Sequence, residues 1–148
     1  MATPARQIST QDLYQRIGAV LGTRSVRSDA DLIHCVEARL PLRTITALTK
    51  WGLTDNEIHA LIIPRRTLSH RRTKRDPLTL EESDRAVRVG RVLALAHGVF
   101  GSKPKALSWL RKPKRQLESR PPLDLLATDA GSRAVEELLY RIDYGMAA

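Results

Sequence analysis

Apolar positions recur along this chain at three- and four-residue spacing, and no stretch sustains the two-residue alternation of a half-buried strand, so the expected fold is all-α. Residues 9–21 place Leu13, Ile17, Val20 and Leu21 on one stripe with Gly22 as a stop, and residues 29–39 give Leu32, Ile33, Cys35 and Val36 a similar face. After Pro41, the positions Leu42, Ile45, Leu48 and Thr49 predict a helix that ends where Gly52 takes the left-handed conformation. Thr54-Asp55-Asn56-Glu57 is a capping box, in which Thr54 accepts from the backbone N–H of Glu57 and the Glu57 side chain reaches back. It opens a helix with Ile58, Leu61 and Ile62 inward and Pro64 at its end or at the start of the next element.

A second capping box, Thr79-Leu80-Glu81-Glu82, precedes the longest helix, residues 80–100. Ala86, Val89, Leu93, Ala96 and Phe100 form one row, widened by Val92, Leu95 and Val99, so this helix is expected to be a buried pillar. Gly90 in its interior costs about 1 kcal/mol against Ala and predicts the close approach of another backbone. Past Gly101 come Ala106, Leu107, Trp109 and Leu110, then a short piece bounded by Pro121-Pro122 that carries Leu123, Leu125 and Leu126. Gly131 precedes a last helix with Val135, Leu138, Leu139 and Ile142 inward and Gly145 at its end.

Charge changes this picture at one place above all. Between Pro64 and Arg75 stand Arg65, Arg66, Arg71, Arg72, Lys74 and Arg75 with no acid, +6 of a formal net charge of +9. Neutralising phosphates and releasing counterions is what gives sequence-independent affinity for nucleic acid. Basic residues gathered on one helix, directly after a capped supporting helix, therefore predict a helix-turn-helix. Leu68 would face the core. Arg65, Arg66, Thr67, Ser69, His70, Arg71 and Arg72 would be shared between base edges and phosphates, with Lys74 and Arg75 continuing the basic stretch. His70 reads as a phosphate or water contact, since no second ligand stands at metal-binding spacing. A second basic group, Arg111, Lys112, Lys114 and Arg115, reads either as a further DNA contact or as solvated surface, the latter preferred because Pro113 prevents a continuous basic helix.

The last helix has a polar side as well. Arg133, Glu137, Tyr140, Arg141 and Tyr144 fall away from its apolar stripe, and tyrosines four residues apart on such a face suit a protein interface or intramolecular packing. From Glu118 onward six acids face only three arginines, so the two ends of the chain are expected to meet different partners.

The 148 residues accommodate one compact unit or two small subdomains, with 42% apolar residues to build a core. Cys35 is the sole cysteine, so no disulfide can form within one chain and a reducing cytoplasm fits best. The start lacks the apolar core of a secretory signal and no run nears about 18 consecutive apolar residues, so a soluble, unexported protein is expected. Enzymatic chemistry has little to stand on. Glu81-Glu82 and Glu136-Glu137 point about 100° apart on a helix, and Gly98 and Gly101 make no phosphate cradle. No catalytic residue, cofactor or metal is expected. A lipid-surface role is disfavoured because the basic stretch lacks Trp or Phe to enter the bilayer boundary.

Several segments in order resemble the toxin-binding domain of Xre/MbcA/ParS antitoxins: Ala96-His97-Gly98-Val99-Phe100-Gly101, Leu107-Ser108-Trp109-Leu110, Pro121 to Thr128, Gly131, and Leu138 to Gly145. The resemblance spans roughly residues 80–146. The part before it resembles the Xre-type helix-turn-helix in Thr54, Glu57, Thr67, Leu68 and Ser69, although its recognition helix is more densely basic than is usual there. The implied organisation is an N-terminal helical region of unresolved role (1–40), a DNA-binding part (41–78) and a toxin-binding domain (79–148).

The resemblance implies a bacterial type II antitoxin whose cognate RES-domain toxin depletes NAD+. Such an antitoxin covers the toxin near its active site, through a surface that here would include Arg133, Glu137, Tyr140, Arg141, Tyr144 and Gly145. It also implies a homodimer that binds and represses its own promoter, with toxin modulating that binding. The alternative left open is a plain helix-turn-helix regulator whose C-terminal part serves dimerisation.

Overall fold

The computed structural model describes residues 7–23 and 26–145. Eight α-helices follow in order among them: α1 (Thr10–Leu21), α2 (Asp29–Glu37), α3 (Arg43–Trp51), α4 (Asp55–Leu61), α5 (Arg65–Lys74), α6 (Leu80–Phe100), α7 (Lys103–Arg111) and α8 (Asp129–Asp143). Two 3-10 segments, Arg115–Leu117 and Pro122–Ala127, join α7 to α8. The described residues contain no strand, only an isolated bridge between Lys114 and Arg120.

Local chemistry explains the boundaries. Both capping boxes form as the sequence requires, with Thr54 and Thr79 each exchanging side-chain and backbone hydrogen bonds with the glutamate three residues on. Gly22, Gly52 and Gly101 all carry positive φ at helix ends. The start of α8 differs from expectation. Thr128 Oγ1 accepts from the Gly131 N–H at 3.0 Å and draws the helix start back to Asp129, so Gly131 lies inside the first turn. A Cβ there would collide with the Leu125 carbonyl, so glycine is required by the tight docking of the Pro122–Ala127 segment.

The long helix α6 is the pillar. Ala86, Val89, Val92, Leu93, Leu95 and Ala96 are fully buried, and α1, α2, α7 and α8 pack around it. Gly90 does mark a close approach, but its neighbour is the Leu21 side chain of α1, not a backbone; a Cβ at Gly90 would lie 2.7 Å from Leu21 Cδ2. In α2 only Leu32 is buried; Ile33 is 55% exposed, and Cys35 and Val36 are half-buried. This short helix lies on the outside of the bundle and presents one narrow seam to α6, so the wider face read from its sequence is only partly covered. Thr49 of α3 is likewise exposed, its hydroxyl turned back onto the Ile45 carbonyl.

Two contacts position α5. The Arg85 guanidinium on α6 donates to the Ile62 carbonyl at 2.9 Å, holding the turn before α5. After α5, the Leu78 N–H donates to the Leu40 carbonyl at 2.9 Å, and the Leu40 N–H donates to buried Ser83 Oγ at 2.9 Å. Both ends of α5 are thus tied to the bundle.

Candidate functional site

Helix α5 buries one side chain, Leu68; Thr67 and Arg71 are half-buried beside it. At about 100° per residue, Arg72, Arg65, Ser69, Thr73, Arg66, His70 and Lys74 then sweep the remaining outer arc, and all seven are exposed. The structure therefore gathers most of the sequence-predicted contacts on one solvent face. It adds Thr73, exposed at the centre of that arc, which the sequence reading did not name although it named Thr67 and Ser69. Arg75 closes the helix in the left-handed conformation, φ 57°, and remains exposed.

Arg71 is differently employed. Its Nε and one terminal nitrogen donate to the two oxygens of Glu82 at 3.1 and 3.0 Å, a bidentate pair with the Glu82 side chain only 6% exposed. Glu82 also accepts from the Thr79 N–H, so one carboxylate closes the cap of α6 and clamps the recognition helix to it. Arg71 is a positioning residue for α5, where sequence reading grouped it with the outward cations.

An analogous arrangement occurs at α4. Glu57 closes the Thr54 cap and accepts from Arg111 Nε at 3.0 Å and from a terminal nitrogen at 2.8 Å. Burial pushes both glutamates up, but their arginines and capped backbone N–H groups more than offset this and hold both below the ordinary carboxylate value. Since the folded values lie below the unfolded one, the stabilisation is fully present above about pH 4.5 and is lost as pH falls through the folded values.

Replacing Arg71 with Ala is expected to lower stability by about 1–3 kcal/mol, because Glu82 is left buried without its partner, and to change the salt dependence of DNA binding little. Thermal melts between about pH 3 and 7 check the linkage. The wild-type melting temperature should drop on acidification, and Glu82→Gln should flatten that drop.

The second face lies on α8. Arg133, Glu137, Tyr140, Arg141 and Tyr144 fall within an arc of about 100°, opposite buried Val135, Leu138 and Leu139. Tyr140 is 36% and Tyr144 57% exposed. Arg133 and Arg141 pair one turn back with Asp129 at 3.0 Å and Glu137 at 2.6 Å, exposed pairs that a partner could exchange at small cost. Gly145 follows with φ 71° and is exposed.

Sequence reading missed how the end of α8 is held. Buried Asp143 accepts from the Ile8 N–H at 3.0 Å, and the Ile8 side chain packs against Gly98 of α6, where a Cβ would clash. The N-terminal segment thus supports the helix that carries the tyrosines. Ile8 and Asp143 are far apart in sequence, and no local pattern announces the contact.

The fold defines a class: a helix-turn-helix protein followed by a second set of helices packed on the long α6. Among known families, residues 31–91 match the antitoxin Xre-like helix-turn-helix domain, and residues 95–145 match the antitoxin Xre/MbcA/ParS C-terminal toxin-binding domain. Antitoxin Xre of Pseudomonas putida (strain KT2440) is 35% identical over 98% of this chain and 91% of its own length. Antitoxin Xre of Yersinia enterocolitica is 31% identical over 97% of this chain and 95% of its own, and that of Photorhabdus laumondii 26% identical over 97% and 96%. The chain belongs to the Xre antitoxin family. No helix among the described residues is long and apolar enough to cross a membrane.

Proposed function

We propose that this protein is the antitoxin of a type II pair acting in the cytoplasm, that it blocks the NAD+-degrading active site of a cognate RES-domain toxin with the polar face of α8, and that as a homodimer it represses its own operon by placing α5 on promoter DNA. The observation that carries the first half is the placement of Tyr140 and Tyr144. Two of the few large apolar side chains left exposed stand one turn apart on a helix inside the segment matching the toxin-binding domain. Such amphipathic aromatics are enriched at the anchors of protein interfaces.

The DNA half is supported by a local cost in α5. Arg65 and Arg66 occupy its first turn, where the helix dipole is already positive, and no acid or side-chain cap offsets them. Each such cation is unfavourable by about 0.3–1 kcal/mol unless an anion sits there, and a phosphate is that anion. Two copies of α5 in a dimer would read two half-sites about one helical turn apart.

Purifying the pair from co-expression and adding NAD+ tests the reading. A stable, catalytically silent complex is expected, with turnover restored when toxin is released. Turnover by the intact complex would refute occlusion, and no complex at all would leave a plain regulator.

A further inference from the structure

Residues 103–115 form a second acid-free stretch, with Lys103, Lys105, Arg111, Lys112, Lys114 and Arg115 supplying the same +6 as residues 65–75. Pro113 does end helical structure here: α7 stops at Arg111, and Lys112 is extended. The stretch is nonetheless fixed against the helix-turn-helix. The Arg111 guanidinium makes both hydrogen bonds to Glu57 and donates to the Gly52 carbonyl at 2.8 Å, so it grips the residues on either side of the α4 cap.

We propose that the end of α7 and the turn after it, presenting Lys112 and Arg115, form a second phosphate-binding surface that extends the DNA footprint of α5 along the duplex backbone. This rests on the DNA-binding reading above and assigns part of that function to a segment inside the toxin-binding domain. Three observations support it. The first is position. Arg111 fixes the end of α7 at the start of α4, the seven-residue, about 10 Å long supporting helix that leads through Ile62, Ile63 and Pro64 into α5. In a helix-turn-helix the supporting helix crosses the backbone, which brings phosphates past this element.

The second is charge. The first turn of α4 holds Asp55 and Glu57, which alone would repel a phosphate. Arg111 neutralises Glu57, and Lys112, Lys114 and Arg115 follow it in the chain with no acid among them. The third is availability. Lys103 lies over the Trp51 ring at 5.9 Å and Lys114 over the Trp109 ring at 5.1 Å, both used in packing. Lys112 and Arg115 are exposed and have no acidic partner among the described residues.

Because phosphate contacts are sequence-independent, a fluorescein-labelled duplex of random sequence serves as probe. Anisotropy titrations from about 0.05 to 0.3 M salt compare the full chain with Lys112→Ala/Arg115→Ala and with Arg65→Ala/Arg66→Ala/Arg72→Ala. The first variant should lose affinity by about fivefold per contact at 0.15 M salt and flatten the salt slope by about one to two units. Its melting temperature and its binding to the toxin should stay unchanged.

Wild-type affinity and slope in that variant, with the α5 variant weakened, overturn the second surface alone. Loss of toxin binding with DNA binding intact assigns the patch to the protein partner and also overturns it. If the α5 variant too binds like wild type, the DNA-binding reading itself fails.

Discussion

Replacing Tyr140 and Tyr144 together with alanine is expected to abolish neutralisation of the toxin while leaving the fold and the DNA affinity in place. Truncating a central aromatic anchor commonly costs 2 kcal/mol or more, about thirtyfold in affinity, and two neighbouring anchors lost together approach a thousandfold. That is enough to free toxin at cellular concentrations. Stability should hold because the two rings project from the side of α8 opposite Val135, Leu138 and Leu139, which do the packing. Adding Arg141→Ala removes only an exposed pair with Glu137 and should deepen the loss little unless the toxin uses that charge. Titration calorimetry against catalytically dead toxin, beside a growth-rescue assay, reads the effect. Undiminished rescue would move the contact elsewhere on the chain.

The second large effect is at α5, and it has a sign that a purely structural role would not produce. Arg65→Ala/Arg66→Ala/Arg72→Ala should flatten the salt slope of DNA binding by about three units and weaken binding at 0.15 M salt by about two orders of magnitude. The same variant should be slightly more stable than wild type, because two cations leave the positive end of a helix whose first turn has no acid. Arg71→Ala should do the reverse, costing stability and leaving the slope nearly intact. Melting curves and anisotropy on both variants separate residues that touch phosphate from the one that holds the helix in place. Loss of stability in both, with parallel loss of binding, would contradict the division.

What the sequence made legible followed from local rules. The two capping boxes, the glycine stops and the three-four periodicity are short-range signals, and they located α1, α4 and α6 closely. The outward cations of α5 were legible because charge density on one helix is itself local. What escaped depends on partners distant in sequence. Nothing near Arg71 says that Glu82 holds it, and nothing near Arg111 says that Glu57 and Gly52 do. A capping glutamate is recognisable; its second use as an arginine clamp is not. The same holds for Ile33, whose place on an apolar stripe could not reveal that α2 meets the bundle along a narrow seam. At Gly131 a correct signal was read in the wrong place, because Thr128 competes as cap and the Leu125 carbonyl occupies the space of a side chain.

In the proposed function one helical scaffold presents two separate adhesive faces, one for duplex and one for a polypeptide. Hydrogen exchange of the full chain, measured free, with duplex DNA and with toxin, tests this most directly. Duplex should slow amides across residues 65–75 and around 112–115, and toxin should slow those across 133–145. Protection of the same segment by both ligands, or protection by duplex confined to residues outside α5, would contradict it.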